Sequence, residues 1–425
     1  MFDPAAHGSS VRTEILAGVT TFLTMAYIVV VNPGILAAGG IDHGAAFVAT
    51  CLAAAIGSAA MGLFANLPLA LAPGMGLNAY FTFVVVNGMG VPWQVALGAV
   101  FLSGCLFLIV SLLRLREWLI VAIPISLKLG IGAGIGLFLG LIGLKEMGLV
   151  VAHPATLVTL GDLSAPATLL SCLGFVVMAG LTARNVTGAI LIGIVGIALL
   201  GIPFGLTHLN GIVAAPPSLA PTFLQLDIAG ALRLGVPVVV LTFFLVDVLD
   251  NAGTLIATTQ RAGLVRPDGT VPKLKQALLA DSGGAILGAV LGTSTTTSYI
   301  ESAAGIQAGG RTGLTALVVA ALFLLCLFFA PLATAIPAFA TAPALVIVAC
   351  LMTASLRAVN WDDATEFAPA VVIALAMPFS FSIATGIGLG FLAYAAVKLV
   401  AGRWQEVPGA VWLIAALSAL KFALA

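Results

Sequence analysis

Apolar residues fill this chain in windows of about twenty, the length of a helix that crosses a bilayer. Short clusters of charge, proline and glycine separate the windows. The pattern predicts membrane helices near 12–32, 46–66, 76–88, 93–113, 124–144, 166–183 and 187–204. A second set lies near 232–258, 274–291, 299–308, 311–335, 337–356, 366–381 and 384–401, giving seven and seven. A last apolar stretch, 409–425, reads equally as an extra helix or as a surface segment. The first run, about 15–38, is too long for the apolar part of a signal peptide and stays as the first helix.

The third member of each set breaks the pattern. Leu67-Pro68-Leu69-Ala70-Leu71-Ala72-Pro73-Gly74-Met75-Gly76 places two prolines and two glycines at membrane depth, and Gly292-Thr293-Ser294-Thr295-Thr296-Thr297-Ser298 places a polar β-branched run there. Neither continues an α-helix easily. With the N-terminus (1–11) in the cytoplasm, all Lys and Arg except Lys145, Arg233 and Lys421 fall at cytoplasmic ends, as the positive-inside rule requires. An odd number of spans per half inverts one half relative to the other. Paired interruptions at matching positions of inverted halves point to the binding site of a secondary transporter.

Composition fits the bilayer as solvent: 61% hydrophobic and 8% charged, against roughly 45–50% and 25% in soluble domains. The formal net charge is zero, so no global field argues for nucleic acid. Cys51, Cys105, Cys172, Cys326 and Cys350 are scattered singly and read as small core residues, and neither they nor the four histidines show metal-ligand spacing. Gly130-Ile131-Gly132-Ala133-Gly134-Ile135-Gly136 sits inside an apolar span with no preceding strand, so close helix packing explains it better than a nucleotide loop. No GxxxxGK[ST] motif is present, and no nucleophile–base or metal constellation marks an enzyme or a cofactor.

Acidic residues deep in spans need a reason, because a charge at the bilayer centre costs at least about 2.5–3.5 kcal/mol. Asp247, Asp250 and Glu301 stand out. Asp247 and Asp250 share one helix face, about 5–6 Å apart at Cβ, and two such carboxylates titrate as a coupled pair suited to carrying a proton. The plainer reading makes one of them a cap or a partner of a buried donor such as Asn251. Ser298-Tyr299-Ile300-Glu301 fits an S-x-x-E capping box, a role compatible with ligand contact where the helix N-terminus opens into a cavity. In the first-half interruption, Asn78 offers donors and an acceptor to a polar heterocycle. Tyr80 and Phe81 beside it read as rings for stacking or as plain packing.

These same residues carry a family resemblance. Ala72-Pro73-Gly74-Met75-Gly76-Leu77-Asn78-Ala79-Tyr80-Phe81, Phe244-Leu245-Val246-Asp247-Val248-Leu249-Asp250-Asn251-Ala252-Gly253-Thr254-Leu255 and Gly292 to Ser302 are similar to signatures of the AzgA-like branch of the nucleobase–cation symporter-2 permeases. The opening Thr13 to Tyr27 resembles the same branch, and the likeness runs to about residue 404. The resemblance implies an all-α polytopic protein of fourteen transmembrane segments in a 7+7 inverted repeat. Segments 3 and 10 would each be a short strand plus a half-helix. A core domain would span 12–113 and 232–335, a gate domain 124–204 and 337–401, and 402–425 would be a C-terminal hydrophobic segment. It further implies transport of hypoxanthine, guanine or adenine across the plasma (inner) membrane, generally with protons. Asn78, Asp247, Glu301 and Phe81 would lie at the substrate, with Asp250 and Asn251 supporting or coupling protons.

Alternatives remain open on sequence alone. The uracil and xanthine branch carries a glutamate in the eighth helix where this chain has an aspartate, which favours the purine branch. An uncoupled channel for a small solute would share the apolar pattern, and an anion exchanger of related architecture would want a fixed positive charge, yet neither interrupted segment holds Lys or Arg. The intramembrane carboxylates favour proton over sodium coupling without deciding it. The expected partners are a purine base and the lipid bilayer, and a homodimer is suggested by the resemblance alone.

Overall fold

The computed structural model describes residues 2–113, 123–209, 211–233, 236–264, 271 and 273–424, without the side chains at 236, 237, 249, 250, 252, 253, 256, 257, 260, 261, 421 and 424. The apolar windows fold as helices: α1 (Val11–Met25), α2 (Ile28–Ala37), α3 (His43–Ala60), the short α4 (Met75–Ala79), α5 (Trp93–Leu112), α6 (Ile125–Glu146), α7 (Pro166–Ala183) and α8 (Ala189–Leu200). After the short α9 (Ile228–Ala231) come α10 (Val236–Arg261), α11 (Leu274–Leu291), α12 (Ser302–Gln307), α13 (Gly313–Cys326), α14 (Ala330–Thr334), α15 (Ala338–Thr353), α16 (Ala364–Ser380), α17 (Ile383–Val400) and α18 (Gly409–Leu424). Four short strands join them: β1 (Leu71–Pro73), β2 (Val150–His153), β3 (Leu157–Leu160) and β4 (Thr296–Ser298). Among the described residues, nine helical stretches are long and apolar enough to cross a membrane, the arrangement of a multi-pass membrane protein.

Three features depart from the expected pattern. The first span is not one helix but two, broken at Ala26–Tyr27. The segment between α6 and α7 forms an exposed antiparallel hairpin of β2 and β3, with Val150 opposite Leu160. Of the five cysteines only Cys51 lies in the core; Cys105, Cys172 and Cys326 are half-buried and Cys350 is exposed. A thiol suits apolar surroundings on the lipid side as well as in the core, which is why the expectation failed without a polar group being misplaced.

The chain divides into two compact units, residues 1–113 with 164–341 and residues 114–163 with 342–425. The helices near 166–183 and 187–204, grouped with a gate by the resemblance, here share a unit with the core helices.

In the first unit α3 packs against α2, α11, α13 and β1. The approach depends on small residues: a Cβ on Gly313 would stand 2.1 Å from the Gly62 carbonyl oxygen. Glu14, fully buried, caps α13 across the unit, its carboxylate accepting from Arg311 N (3.0 Å), Thr312 N (3.3 Å) and Thr315 Oγ1 (2.6 Å). Backbone donors at a helix start that would otherwise be orphaned in lipid are thereby satisfied.

In the second unit α6 uses its glycines on two sides. A Cβ on Gly130 would meet the Ala370 backbone of α16 at 2.8 Å, and one on Gly136 would meet Met352 of α15 at 2.7 Å. The glycine run is a packing device, as its place inside a span suggested. The undecided segment 409–425 is helical through Leu424, and Gly388 of α17 faces Ser418 and Phe422, so α18 folds back along α17.

Candidate functional site

The two interrupted stretches meet inside the first unit. β1 pairs antiparallel with β4, with Leu71 opposite Ser298, Ala72 opposite Thr297 and Pro73 opposite Thr296. Both strands are wholly buried, so every backbone group needs a protein partner. Ser58 Oγ accepts from Leu71 N (2.9 Å) and donates to the Leu71 carbonyl (3.1 Å), while Ser302 Oγ accepts from Ala70 N (3.0 Å). Tyr299 N donates to Ala70 O (2.9 Å), and Gly74 N to Thr295 O (2.9 Å). Gly74 is required there, because a Cβ would come within 2.9 Å of Thr297 Cγ2. Proline suits the end of so short a ladder, where its missing N–H leaves nothing unpaired.

From this crossing each half turns into a short helix. The first leads through α4 into a π-helical stretch, Tyr80–Val86, a geometry frequent at functional sites. Asn78 lies on α4 and is fully buried. Its Oδ1 accepts from Ser294 Oγ, and its Nδ2 donates to the Pro73 carbonyl (3.4 Å). Phe81 is fully buried in the π-helical stretch, whereas Tyr80 stacks edge-on with Phe243, ring centroids 5.0 Å apart.

The second half leads into α12. Glu301 is its N-cap residue and makes no side-chain cap bond. The expected capping box is therefore absent: the helix starts one residue after Glu301, and Ser298 Oγ instead donates to Asp281 Oδ1 (2.9 Å). Glu301 is half-buried, and its Oε1 accepts from the Tyr27 hydroxyl (2.8 Å). Tyr27 reaches it because the break between α1 and α2 falls at that residue.

Helix α10 packs against α4, β4 and α12, and brings Asp247 to the same part of the unit. Asp247 is fully buried. Both ends of the neighbouring Asn251 amide are buried without a hydrogen-bond partner among the described residues, which leaves a donor and an acceptor for a bound solute or water. The backbone of Asp250 belongs to α10, but its side chain lies outside the described residues, so the proposed shared face with Asp247 is not described.

Asp281 was missed by the sequence reading. It is fully buried on α11 and tied to β4 through Ser298. The signal was present: an acid seven residues into an apolar helix meets the same test that singled out Asp247. Two surface grooves lie elsewhere, one of about 790 Å³ between α6, α15 and α16 and one of about 470 Å³ between α3 and α11. Both are lined almost entirely by apolar groups, and neither includes a candidate site residue.

Known proteins share this plan. Among solved structures, the transmembrane domain of the cyanobacterial bicarbonate transporter BicA superposes with a TM-score of 0.67 at 18% identity, covering 90% of this chain and 97% of that one. The two share a fold. In sequence, the adenine permease AdeP of Escherichia coli (strain K12) is 51% identical over 99% of this chain and 95% of its own length. The guanine/hypoxanthine permease PbuO of Bacillus subtilis (strain 168) is 45% identical over 98% of each chain. These relatives are permeases rather than enzymes, and the profile of the permease family Xan_ur_permease matches residues 12–389. With almost the whole chain aligned to that profile, and the crossing strands, α4 and α10 all inside the match, this protein belongs to the Xan_ur_permease family of permeases.

Proposed function

We propose that this chain is a secondary active transporter that imports a purine nucleobase, hypoxanthine, guanine or adenine, by proton symport across the plasma membrane, with its N-terminus in the cytoplasm. The observation that carries the reading is the near full-length likeness to relatives named as adenine and guanine/hypoxanthine permeases. The site chemistry supports it. A neutral purine presents N–H groups and ring nitrogens on one planar edge, and Asp247 and Glu301 supply acceptors while Asn78 supplies a donor. Each charge-assisted hydrogen bond in a desolvated site contributes roughly 1.5–3 kcal/mol, so two supply about 3–6 of the roughly 8 kcal/mol that micromolar binding needs, and burial of the flat ring supplies the rest.

In this reading the 7+7 inverted repeat, with segments 3 and 10 as strand plus half-helix, holds the base at mid-membrane. Alternating access follows from rocking of core (12–113, 232–335) against gate (124–204, 337–401). Protonation of the group formed by Asp247, Asp250 and Glu301, with Asn251 supporting it, couples the gradient to that movement. Phe81 would stack on the base. No Lys or Arg occurs in 71–86 or 293–307, which weighs against an anion as cargo despite the shared fold with a bicarbonate transporter.

The test is uptake of radiolabelled adenine, guanine, hypoxanthine, xanthine and uracil in a permease-deficient strain, with and without a protonophore. Saturable purine accumulation that collapses with the protonophore is expected. Uptake confined to uracil or xanthine would move the chain to the other branch, and uptake indifferent to the protonophore would remove proton coupling.

A further inference from the structure

We propose that Ser294 is a positioning residue that, together with the Pro73 carbonyl, holds the Asn78 amide one way round towards the purine, and so sets the preference between 6-amino and 6-oxo bases. The inference rests on the purine reading above. The Pro73 carbonyl can only accept a hydrogen bond, and Asn78 Nδ2 lies 3.4 Å from it. The amide nitrogen therefore points at Pro73, the Oδ1 end turns to Ser294, and the Ser294 hydroxyl is the donor. A reversed amide would set two carbonyl oxygens against each other at Pro73, whose oxygen already accepts from the Tyr299 hydroxyl at 2.5 Å.

Ser294 is itself held on both sides. Thr293 N donates to Gly288 O (2.9 Å), Thr293 Oγ1 accepts from Asn32 Nδ2 (2.9 Å), and Thr295 O accepts from Gly74 N (2.9 Å). Gly288 lets this stretch lie close to α11, since a Cβ there would stand 2.7 Å from the Ser294 carbonyl. After these bonds Asn78 keeps one N–H hydrogen and one Oδ1 lone pair. Adenine accepts at N1 and donates from its 6-amino group, whereas hypoxanthine donates from N1–H and accepts at O6. An amide held one way round tells these edges apart; an amide able to turn does not.

The experiment measures KM and Vmax per transporter in the membrane for adenine and hypoxanthine uptake by the wild type, Ser294→Ala and Ser294→Thr. Ser294→Ala is expected to change the ratio of the two KM values by about fivefold or more, the worth of one neutral hydrogen bond, with Vmax per transporter kept. Ser294→Thr, which retains the hydroxyl, restores the wild-type ratio. An unchanged ratio in Ser294→Ala, or a loss confined to Vmax, overturns the proposal. Should Ser294→Ala not reach the membrane, Ser294→Cys, close in volume but a weak donor, must show the shift, and an unchanged ratio there overturns it equally. A wild type that takes up neither base sinks the purine reading itself, and that result is seen without any variant.

Discussion

Carboxylates in the two units meet different company. In the first unit the partners described are hydroxyls and backbone N–H groups: Glu14 with Thr315 and the start of α13, Asp281 with Ser298, Glu301 with Tyr27. In the second unit the partners are cations. Lys398, only 1% exposed, lies 2.8 Å from both Glu366 and Glu406, and Arg403 reaches Glu406 at 2.8 Å and Asp363 at 2.7 Å. Ser126 and Tyr394 add hydroxyl contacts to Glu366 at 2.5 and 3.2 Å. A carboxylate held by neutral donors keeps both protonation states within reach and can exchange one partner for a ligand. One held by a buried cation is fixed as an anion, because losing either charge strands the other. Neutral company suits a site that must bind and release; ionic company suits a fastening between helices.

The largest expected effect falls in the first unit. Asp247→Asn keeps the shape and removes the charge, and should lower purine uptake by about two orders of magnitude or more, as a charge-assisted bond and the coupled proton are lost together. Uptake assays normalised to protein in the membrane check this, and near-normal uptake would end the role assigned to Asp247. In the second unit, Lys398→Met should destabilise the protein by about 3 kcal/mol by leaving Glu366 without its buried cation. Purine affinity of the folded fraction should stay within about twofold of the wild type. Thermal unfolding in detergent and equilibrium binding separate the two, and a large loss of affinity at unchanged stability would erase the contrast between the units.

The smallest effect is a pH dependence. Hydrogen bonds from Arg403 and then Lys398 pull the Glu406 carboxyl from its ordinary 4.5 down to about 2. Asp363 is likewise held well below the usual range, by the Thr365 hydroxyl first and then Arg403. A depressed folded value means stabilisation that is complete above pH 4.5 and lost as pH falls towards 2. Thermal stability should therefore decline across that window, and Glu406→Gln should flatten the decline. An identical profile in the variant would show that this cluster does not govern acid sensitivity.

Much of the helical plan was legible because span length is set by the bilayer and apolar windows report it directly. The same signal fails where a helix is shorter than the membrane or ends inside it. Tyr27, at the break in the first span, reads as one more apolar residue, and only the structure turns its hydroxyl to Glu301. Lys398 reads as a cytoplasmic end by the charge rule, and nothing local announces that Glu366 and Glu406 bury it. Asn78 was visible as a polar residue at depth, but of the two groups that hold its amide, the Pro73 carbonyl and the Ser294 hydroxyl, the second lies 216 positions away. Capping by Glu301 was a sound local inference that failed because Ser298 still belongs to β4 and α12 starts only at Ser302, which makes Glu301 the N-cap residue rather than the third residue of the helix.

The crossing of β1 and β4 also has a bearing on how the protein is made. Asn78 leaves the ribosome 216 residues before Ser294, and at roughly 5–20 residues per second the wait is on the order of ten to forty seconds. Through that interval the edge of β1 has no β4 to pair with in a solvent that offers no substitute. The nascent first half must be sheltered by the insertion machinery, or held near the aqueous interface, until the second half arrives. A pause or truncation before residue 296 should then yield a chain marked for degradation rather than a half-transporter.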